Sequence, residues 1–498
     1  MTAHSEFEPI VVAGKNCWRI ERADKASVII DAADYYHLVR EAMSAATRRI
    51  MILGWDFDTR IQLEPANPDH GETLGEFFLR LARKNPERRI EILKWSFGAK
   101  KQFLHPSAAW MLWKWSRTKA IGYCFDGAHP AGCSHHQKIV SIDEQLAVCG
   151  GIDIATARWD TPEHLDENPG RRLPNGGTYE PWHDTTMMIT GPAAQSLAEL
   201  ARDRWYSATS RHLKPIPQSN DELWPDDLVV QFENVEIAIA RTRAPYQDLS
   251  EIREIEALYL DMIAAAKNFL YFENQYFTSG KIAGAIAKRM EEEDPPEIVM
   301  VMPRTADGWL EQMAMDAARV RLARAIGKVD KKNRFRIYVP ITEQGNDIYV
   351  HAKVSIVDDR LLRIGSSNLN NRSMGLDSEC DVIIDAGLET NRHTPAIIAA
   401  IRQRLIAEHL GMKPSDFAAQ EQRSGSLVDA IETCRGTGKT LDLLDLIKPG
   451  PLDAFIADNE ILDPESVDGF LDPIAERGLR KRWIQGKAWW RRRTVSRS

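Results

Sequence analysis

The feature that most constrains the fold of this 498-residue chain is a motif that occurs twice. The pattern is His-x-Lys-x4-Asp, and its copies are His136, Lys138 and Asp143, then His351, Lys353 and Asp358. After each copy an apolar strand ends in small residues, Gly150-Gly151 in the first and Gly365-Ser366-Ser367 in the second. A single copy would fit a buried strand with one hydrogen-bonded histidine. Two copies with the same downstream layout indicate a duplicated functional element.

The residue types of the motif suit chemistry on a phosphate diester. Alternation along a strand places His351 and Lys353 on one face, and the loop that follows is dense with Ser and Asn residues. An imidazole can attack phosphorus or protonate a leaving oxygen, while an ammonium group and amides neutralise the anionic oxygens. The motif therefore predicts phosphoryl-group chemistry.

A longer repeat surrounds the motif. The segments MSAATRRIMILGWDF, from Met43, and MIAAAKNFLYFENQYF, from Met262, both predict the end of a helix followed by a strand that closes on aromatic residues. Their spacing is close to that of the two motifs, so the duplication covers whole halves of the chain. Helices alternating with strands predict an α/β fold made of two fused α/β/α sandwich halves. Pseudo-twofold symmetry would place the active site at the seam between them.

This organisation predicts three regions. Residues 1–225 form the first half, residues 226–412 the second half, and residues 413–498 an accessory segment. Residues 155–184 are a long insertion rich in Pro, Gly and charge, which we expect to form the rim of the site. The accessory segment ends in a basic stretch with three tryptophans, from residue 477 onward. That stretch fits either a solubilising, disordered terminus or an anchor at a lipid interface.

Composition bears on partners and location. The net charge of −8 argues against a binder of duplex nucleic acid, which normally carries a basic face. The N-terminus lacks the apolar core of a Sec signal peptide, and no apolar run approaches the length of about 18 residues that a membrane span needs. We therefore expect a cytoplasmic protein or one bound peripherally to a membrane, with signal-independent export also open.

The two motifs and their surroundings resemble the phospholipase D superfamily. Beyond the motifs, the resemblance includes FENQYF from Phe272, GGIDIATARWDTPEH from Gly150, PWHDTTMMITGPAA from Pro181 and IRQRLIAEHLG from Ile401. It runs over roughly residues 35–412 and is greatest to phospholipase D proper of the eukaryotic-like type.

The resemblance implies roles for the two motif histidines. His136 would be the nucleophile that forms a phosphohistidine. His351 would be the acid that protonates the leaving alcohol, and then the base that activates water or an acceptor alcohol. Each imidazole needs its other nitrogen held by a partner. By alignment, Glu379 is expected to hold His351, and Asp184 is expected to hold His136.

The resemblance also implies roles for the surrounding residues. The groups expected to contact substrate are Lys138, Lys353, Gly151, Ser366 and Asn368. Asp143 and Asp358 complete the catalytic motifs, and we expect them to be architectural because both follow their strands into turns. The two lysines supply the charge that a metal would, so no metal or cofactor is expected.

The implied function is hydrolysis of the head-group phosphodiester of glycerophospholipids to phosphatidate, with transfer to other alcohols. The expected partner is a phospholipid membrane surface, with no nucleic acid and no obligatory protein partner. Because one chain carries both motifs, a monomer is sufficient for the active site. Four alternatives stay open: a cardiolipin synthase-like phosphatidyl transferase, an exported antibacterial phospholipase effector, a nuclease, and a catalytically silent lipid-binding module.

Overall fold

The computed structural model describes residues 8–65, 67, 71–96, 106–219, 222–306, 309–445 and 463. The basic stretch with tryptophans, from residue 477 onward, lies outside the described residues. The predictions for that stretch therefore stay predictions.

The described chain contains the following strands: β1 Arg19–Ile30, β2 Arg49–Gly54, β3 Arg89–Trp95, β4 Ile121–Asp126, β5 Ile139–Ile142, β6 Leu146–Gly150, β7 Trp182–His183, β8 Thr185–Thr190, β9 Phe232–Arg243, β10 Ile252–Arg253, β11 Phe269–Glu273, β12 Glu297–Val301, β13 Phe335–Ile341, β14 Tyr349–Val350, β15 Val354–Val357, β16 Leu361–Gly365, β17 Glu379–Asp385 and β18 Thr440–Leu443. Its helices are α1 Ala32–Ala45, α2 Leu74–Lys84, α3 Pro106–Ser116, α4 Pro192–Thr209, α5 Glu254–Ala265, α6 Gly280–Met290, α7 Trp309–Val329, α8 Asn371–Gly375, α9 Pro395–His409, α10 Pro414–Ser424 and α11 Leu427–Cys434, with a 3-10 turn at Glu389–Asn391.

One large mixed sheet runs through both halves. Its order from edge to edge is β18-β13-β12-β11-β15-β16-β17-β9-β1-β8-β6-β5-β2-β3-β4, with β10 added to β9. The antiparallel pair β1–β9 lies at the centre. From this pair outward, β8-β6-β5-β2-β3-β4 matches β17-β16-β15-β11-β12-β13. The parallel pairs are equivalent too, β2–β3–β4 on one side and β11–β12–β13 on the other. The predicted pair of fused α/β halves with pseudo-twofold symmetry is confirmed.

The predicted domain limits can be placed on this sheet, although the limits themselves stay predictions. Residue 225 falls between α4 and β9, where the chain passes from one half to the other. Residue 412 follows α9. Beyond it, β18 pairs antiparallel with β13, so the start of the accessory segment extends the sheet of the second half.

Helices cover both faces of the sheet. Along β2, Ile50 and Ile52 pack in the core with α1, α2 and α3, whereas Met51 and Leu53 belong to the core with α4, as alternation along a strand requires. Helices α5, α6 and α7 cover the equivalent face of the second half, while α9, α10 and α11 join α4 on the other face. Strands buried on both faces account for apolar runs such as that of β2. Among the described residues, no helix is long and apolar enough to cross a bilayer.

The two motif aspartates connect each motif strand to the start of its own half. The Asp143 carboxylate accepts hydrogen bonds from the backbone N–H groups of residues 47, 48 and 49, at 2.6, 2.9 and 2.6 Å. Asp358 accepts from residues 267, 268 and 269, at 2.7, 2.8 and 2.8 Å. The four residues of β5 or β15 lie between each lysine and its aspartate, a span of about 16 Å. The contacts therefore agree with an architectural role and place these carboxylates at the far end of the strand from the histidines.

We expect Asp143→Ala to destabilise the fold by about 2–4 kcal/mol, because three N–H groups lose a charged acceptor. Urea unfolding followed by circular dichroism measures this as a lower midpoint. Asp358→Ala should behave alike, and the exposed Asp226→Ala should keep the wild-type midpoint. An Asp143→Ala protein with unchanged stability and lost activity would instead indicate a chemical role.

Candidate active site

The segments that carry His136 and His351, just before β5 and β15, are joined by their backbone to the opposite half of the molecule. The N–H of His136 donates to the carbonyl of Ser378, at 3.0 Å, and the N–H of His351 donates to the carbonyl of His183, at 2.8 Å. The second contact belongs to the short parallel pair β7–β14, and the first lies beside the equivalent bridge between residues 135 and 378. The seam is therefore held together by the segments that carry the histidines.

This cross-connection determines which carboxylate faces which histidine. Nδ1 of His136 lies 2.9 Å from Oε2 of Glu379, and Nδ1 of His351 lies 2.7 Å from Oδ2 of Asp184. The predicted pairing, Glu379 with His351 and Asp184 with His136, is wrong. Each acid follows the segment that pairs with the opposite motif strand, so it is placed beside the histidine of the other half.

The carboxylate of Glu379 has two further hydroxyl donors. Ser366 Oγ donates to it at 2.5 Å and Ser373 Oγ at 2.7 Å. The hydroxyl of Ser366 is buried and directed to Glu379, which differs from the predicted contact of Ser366 with phosphoryl oxygens. Gly151 supports the other acid, because a Cβ at this position would lie 2.1 Å from Oδ1 of Asp184. The glycine thus makes room for the carboxylate of the His351 pair.

The two motif lysines lie in different surroundings. Nζ of Lys138 is 3.1 Å from Oδ2 of Asp153 and 3.2 Å from the carbonyl of His136. Nζ of Lys353 contacts the carbonyl of His351 and lies 3.3 Å from Oε1 of Gln275. Burial lowers the pKa of Lys353, the charge of Asp184 opposes this shift and that of Lys138 adds to it, and the resulting pKa is about 7.

Burial also favours the neutral form of both histidines. It lowers the pKa of His136 well below the usual value, and the charges of Lys138 and Lys353 add to the effect. The pKa of His351 falls in the same way, from burial first and then from Lys353 and Arg158. Burial raises the pKa of Glu379 to about 8 and that of Asp184 to about 6. Each imidazole–carboxyl pair can therefore share one proton at Nδ1, which leaves Nε2 as the nitrogen able to react.

Both histidines line one cavity of about 430 Å³. Of the predicted residues, Asn368 also lines it, and its Oδ1 is buried without a hydrogen-bond partner among the described residues. Other side chains that line the cavity are Trp55, Trp95, Arg158, Trp182, Gln275 and Tyr276. Two of these, Arg158 and Trp182, come from the insertion at 155–184, so its predicted place at the rim is confirmed.

Several cavity residues were missed by the sequence argument. The guanidinium of Arg158 lies 4.1 Å from the ring of Trp182, which stacks at 4.6 Å on Tyr349, two residues before His351. Arg158 lies within the quoted segment GGIDIATARWDTPEH and Gln275 within FENQYF. The resemblance thus contained the signal for these two residues, although it assigned them no role.

A second group of ionisable residues lies buried behind the His351 pair. His183 Nδ1 is 3.1 Å from Asp31 Oδ1 and 3.0 Å from Glu408 Oε1, and its Nε2 is 2.9 Å from Glu273 Oε2. Ligand-type atoms of Asp31, His164, His183 and Glu408 lie within 4.8 Å of one another. Two imidazoles and two carboxylates could hold a divalent cation. Without one, burial alone would lower the pKa of His164, but the surrounding carboxylates, Asp31 first, raise it to about 9.

One residue of the accessory segment reaches the loop that shapes the cavity. Asp463 is buried and accepts from the N–H groups of Asn371, at 3.0 Å, and Arg372, at 2.8 Å. These N–H groups begin α8, which carries Ser373, one of the donors to Glu379. The accessory segment therefore has a part in positioning the His136 pair, which no motif in the sequence indicated.

The fold and the site together define a class of protein: a duplicated α/β protein with a two-histidine site at the seam between its halves. A sequence profile of the family described as Phospholipase D matches residues 42–346 and 340–428. The chain belongs to the phospholipase D family, as its motifs predicted.

The relatives agree with this assignment. The chain is 29% identical over 375 residues to Phospholipase D1 of Saccharomyces cerevisiae, which covers 56% of this chain and 22% of the yeast protein. It is 23% identical over 523 residues to Phospholipase D alpha 4 of Arabidopsis thaliana, which covers 82% of this chain and 67% of the plant protein. The crystal structure of a phosphatidylserine synthase from Haemophilus influenzae matches with a TM-score of 0.55, at 13% identity, over 78% of this chain and 88% of that one. The similarity to this crystal structure shows that the two proteins share a fold.

Proposed function

We propose that the protein is a phospholipase D-type phosphodiesterase that hydrolyses the head-group ester of glycerophospholipids to phosphatidate, with transfer to other alcohols. The observation that carries the proposal is the pair of buried histidines, each with a carboxylate at Nδ1, in one cavity at the seam. The named phospholipase D relatives support the lipid substrate. Their sequences are covered to between 22% and 67% by this chain, so the activity of the whole protein is a proposal.

In the first step, Nε2 of His136 attacks phosphorus and the bond to the head-group oxygen breaks. The departing alcohol takes its proton from Nε2 of His351, so the His351–Asp184 pair enters this step with two protons, one at Nε2 and one shared at Nδ1. Positive charge develops on His136 as the N–P bond forms, and the carboxylate of Glu379 at Nδ1 stabilises it. The hydroxyls of Ser366 and Ser373 stabilise this carboxylate as an anion, which favours His136 as the nucleophile.

In the second step, His351 accepts a proton from water or from an acceptor alcohol, whose oxygen then displaces His136 from phosphorus. Asp184 holds the imidazole in the required orientation in both steps. Lys138 and Lys353 neutralise the charge of the non-bridging oxygens, and the amide N–H of Asn368 donates a hydrogen bond to one of them. These roles need a membrane lipid as partner and one copy of the chain.

We expect the kcat/KM of this reaction to fall as the pH rises past about 7, because Lys353, with its lowered pKa, then loses the charge that binds the phosphodiester. Below about pH 7 Lys353 is protonated, so its contribution to binding the phosphodiester is complete. Since a bound anion raises the pKa of this lysine, kcat should fall at a higher pH than kcat/KM. Lys353→Arg keeps its charge throughout, so its kcat/KM should lose this limb of the pH profile. If kcat/KM of Lys353→Arg still falls above about pH 7, the fall is due to another group.

The proposed function is tested with vesicles of mixed phospholipids in the presence of ethanol. Wild type should release phosphatidate and phosphatidylethanol, and His136→Ala and His351→Ala should release neither. Phosphatidylethanol requires that an alcohol captures a phosphatidyl intermediate. Transfer to glycerol or phosphatidylglycerol with little hydrolysis would indicate a phosphatidyl transferase. Cleavage of nucleic acid or of a soluble diester, with no lipid turnover, would contradict the proposed substrate.

A further inference from the structure

Helix α3 presents two tryptophans on the protein surface. Trp110 is 54% exposed and Trp113 is 45% exposed, and their rings stack with centroids 4.6 Å apart. Trp115 of the same helix is buried, and its indole N–H donates to the carbonyl of Gly75 at 3.2 Å. Since the buried side of α3 already attaches the helix to the core, packing within the fold does not explain the exposed pair.

Positive charge lies directly on these two rings. Nζ of Lys114 is 5.5 Å from the centroid of the Trp110 ring, and the guanidinium carbon of Arg117 is 4.3 Å from that of Trp113. Indole rings are favoured at the head-group level of a bilayer, where one side of the ring is apolar and the other is wet. Cations beside them can meet the phosphates of anionic lipids. The combination is complementary to an anionic lipid surface.

The α3 surface and the catalytic cavity both contact the insertion. A cavity of about 670 Å³ is lined by Trp110 and Lys114 of α3 together with residues 173–175 of the insertion. The same insertion, residues 155–184, contributes Arg158 and Trp182 to the catalytic cavity. Trp55 and Trp95, which stack at 5.5 Å, line the catalytic cavity at the ends of β2 and β3, and α3 is the next described element after β3. The insertion therefore lies beside both α3 and the catalytic cavity.

We propose that the surface formed by Trp110, Trp113, Lys114 and Arg117 docks the protein on an anionic phospholipid bilayer. The effect of docking on catalysis rests on the proposed function, because docking would keep the catalytic cavity at the interface where lipid head groups are found. Docking itself requires a lipid surface and no turnover. It should change the affinity for vesicles and leave the chemical steps as they are.

The docking is measured as sedimentation with sucrose-loaded vesicles of equal parts phosphatidylcholine and phosphatidylglycerol. All variants carry His136→Ala, so that the lipid is not consumed. Replacing Trp110 and Trp113 together by alanine should raise the dissociation constant at least about tenfold, and replacing Lys114 and Arg117 together by glutamate should do the same. The matched control is Tyr206→Ala on α4, which removes an aromatic side chain of 44% exposure from the opposite face of the sheet and should bind as the parent does. Unchanged binding of the double tryptophan variant would overturn the proposal.

Activity separates a failure of docking from a failure of the proposed function. In the chain with His136 intact, the double tryptophan variant should lose turnover of vesicle lipid about tenfold, through KM. It should hydrolyse dispersed short-chain phospholipid at the wild-type rate, which also shows that it is folded. If wild type binds vesicles through α3 but turns over no phospholipid, docking stands and the function fails. If the variant matches wild type on vesicle lipid, the function stands and docking is overturned.

Discussion

His136→Ala is expected to lose phospholipid turnover by at least about 10⁴-fold, and His351→Ala by a similar factor. The two imidazoles have different tasks, one bonding to phosphorus and the other moving protons, so neither can replace the other. With a natural lipid, both losses look alike. The exposed His393→Ala should turn over lipid at the wild-type rate.

An activated substrate separates the two roles. In a phosphatidyl ester of p-nitrophenol the leaving group departs without a proton, so His351→Ala should still form the phosphohistidine and release a burst of about one p-nitrophenol per chain. His136→Ala should give no burst. Intact-protein mass spectrometry of the quenched reaction should find the phosphatidyl adduct on the His351→Ala chain. A burst from His136→Ala and none from His351→Ala would exchange the assigned roles.

Repetition made the fold predictable. The two copies of the motif, and the helix–strand segments from Met43 and Met262, indicate equivalent positions, and the sheet order confirms that equivalence strand by strand. The crossed acids were not predictable in the same way. The contact of Asp184 depends on the pairing of β7 with β14, strands of two residues each, and the contact of Glu379 depends on the isolated bridge between residues 135 and 378. Both pairings are too short to show any periodicity. An alignment places each acid after the motif of its own half, while the contact forms across the seam.

The buried ionisable cluster and the Asp463 contact were not predictable either, because both form between segments that are distant in the sequence. Asp31, His164, His183 and Glu408 lie at separate places in the chain, and their intervals match no known metal-ligand spacing. Asp463 reaches Asn371 from a position beyond residue 428, where the match to the family profile ends. Side chains of this kind are brought together by packing of the whole sheet.

Glu379→Gln and Asp184→Asn are expected to fail at different steps. Glu379 lies against His136, so a neutral amide there leaves no anion to balance the charge that develops when Nε2 bonds to phosphorus. The burst from the p-nitrophenyl ester should therefore slow about 10²- to 10⁴-fold in Glu379→Gln. Asp184 lies against His351. Asp184→Asn should keep the burst, because the activated leaving group needs no proton, and should lose turnover of natural phospholipid by a similar factor.

Stopped-flow measurement of the burst in both variants tests the crossed pairing directly. Asp385→Asn is the matched control, since Asp385 is a buried carboxylate at the other end of β17 that accepts from the N–H of Ile10 at 2.6 Å. It measures what a buried amide in this strand does to stability, with both histidine pairs unchanged. If each acid served the histidine of its own half, Asp184→Asn would abolish the burst and Glu379→Gln would spare it. The order of the two effects therefore reports which histidine each carboxylate serves, independently of how large either effect is.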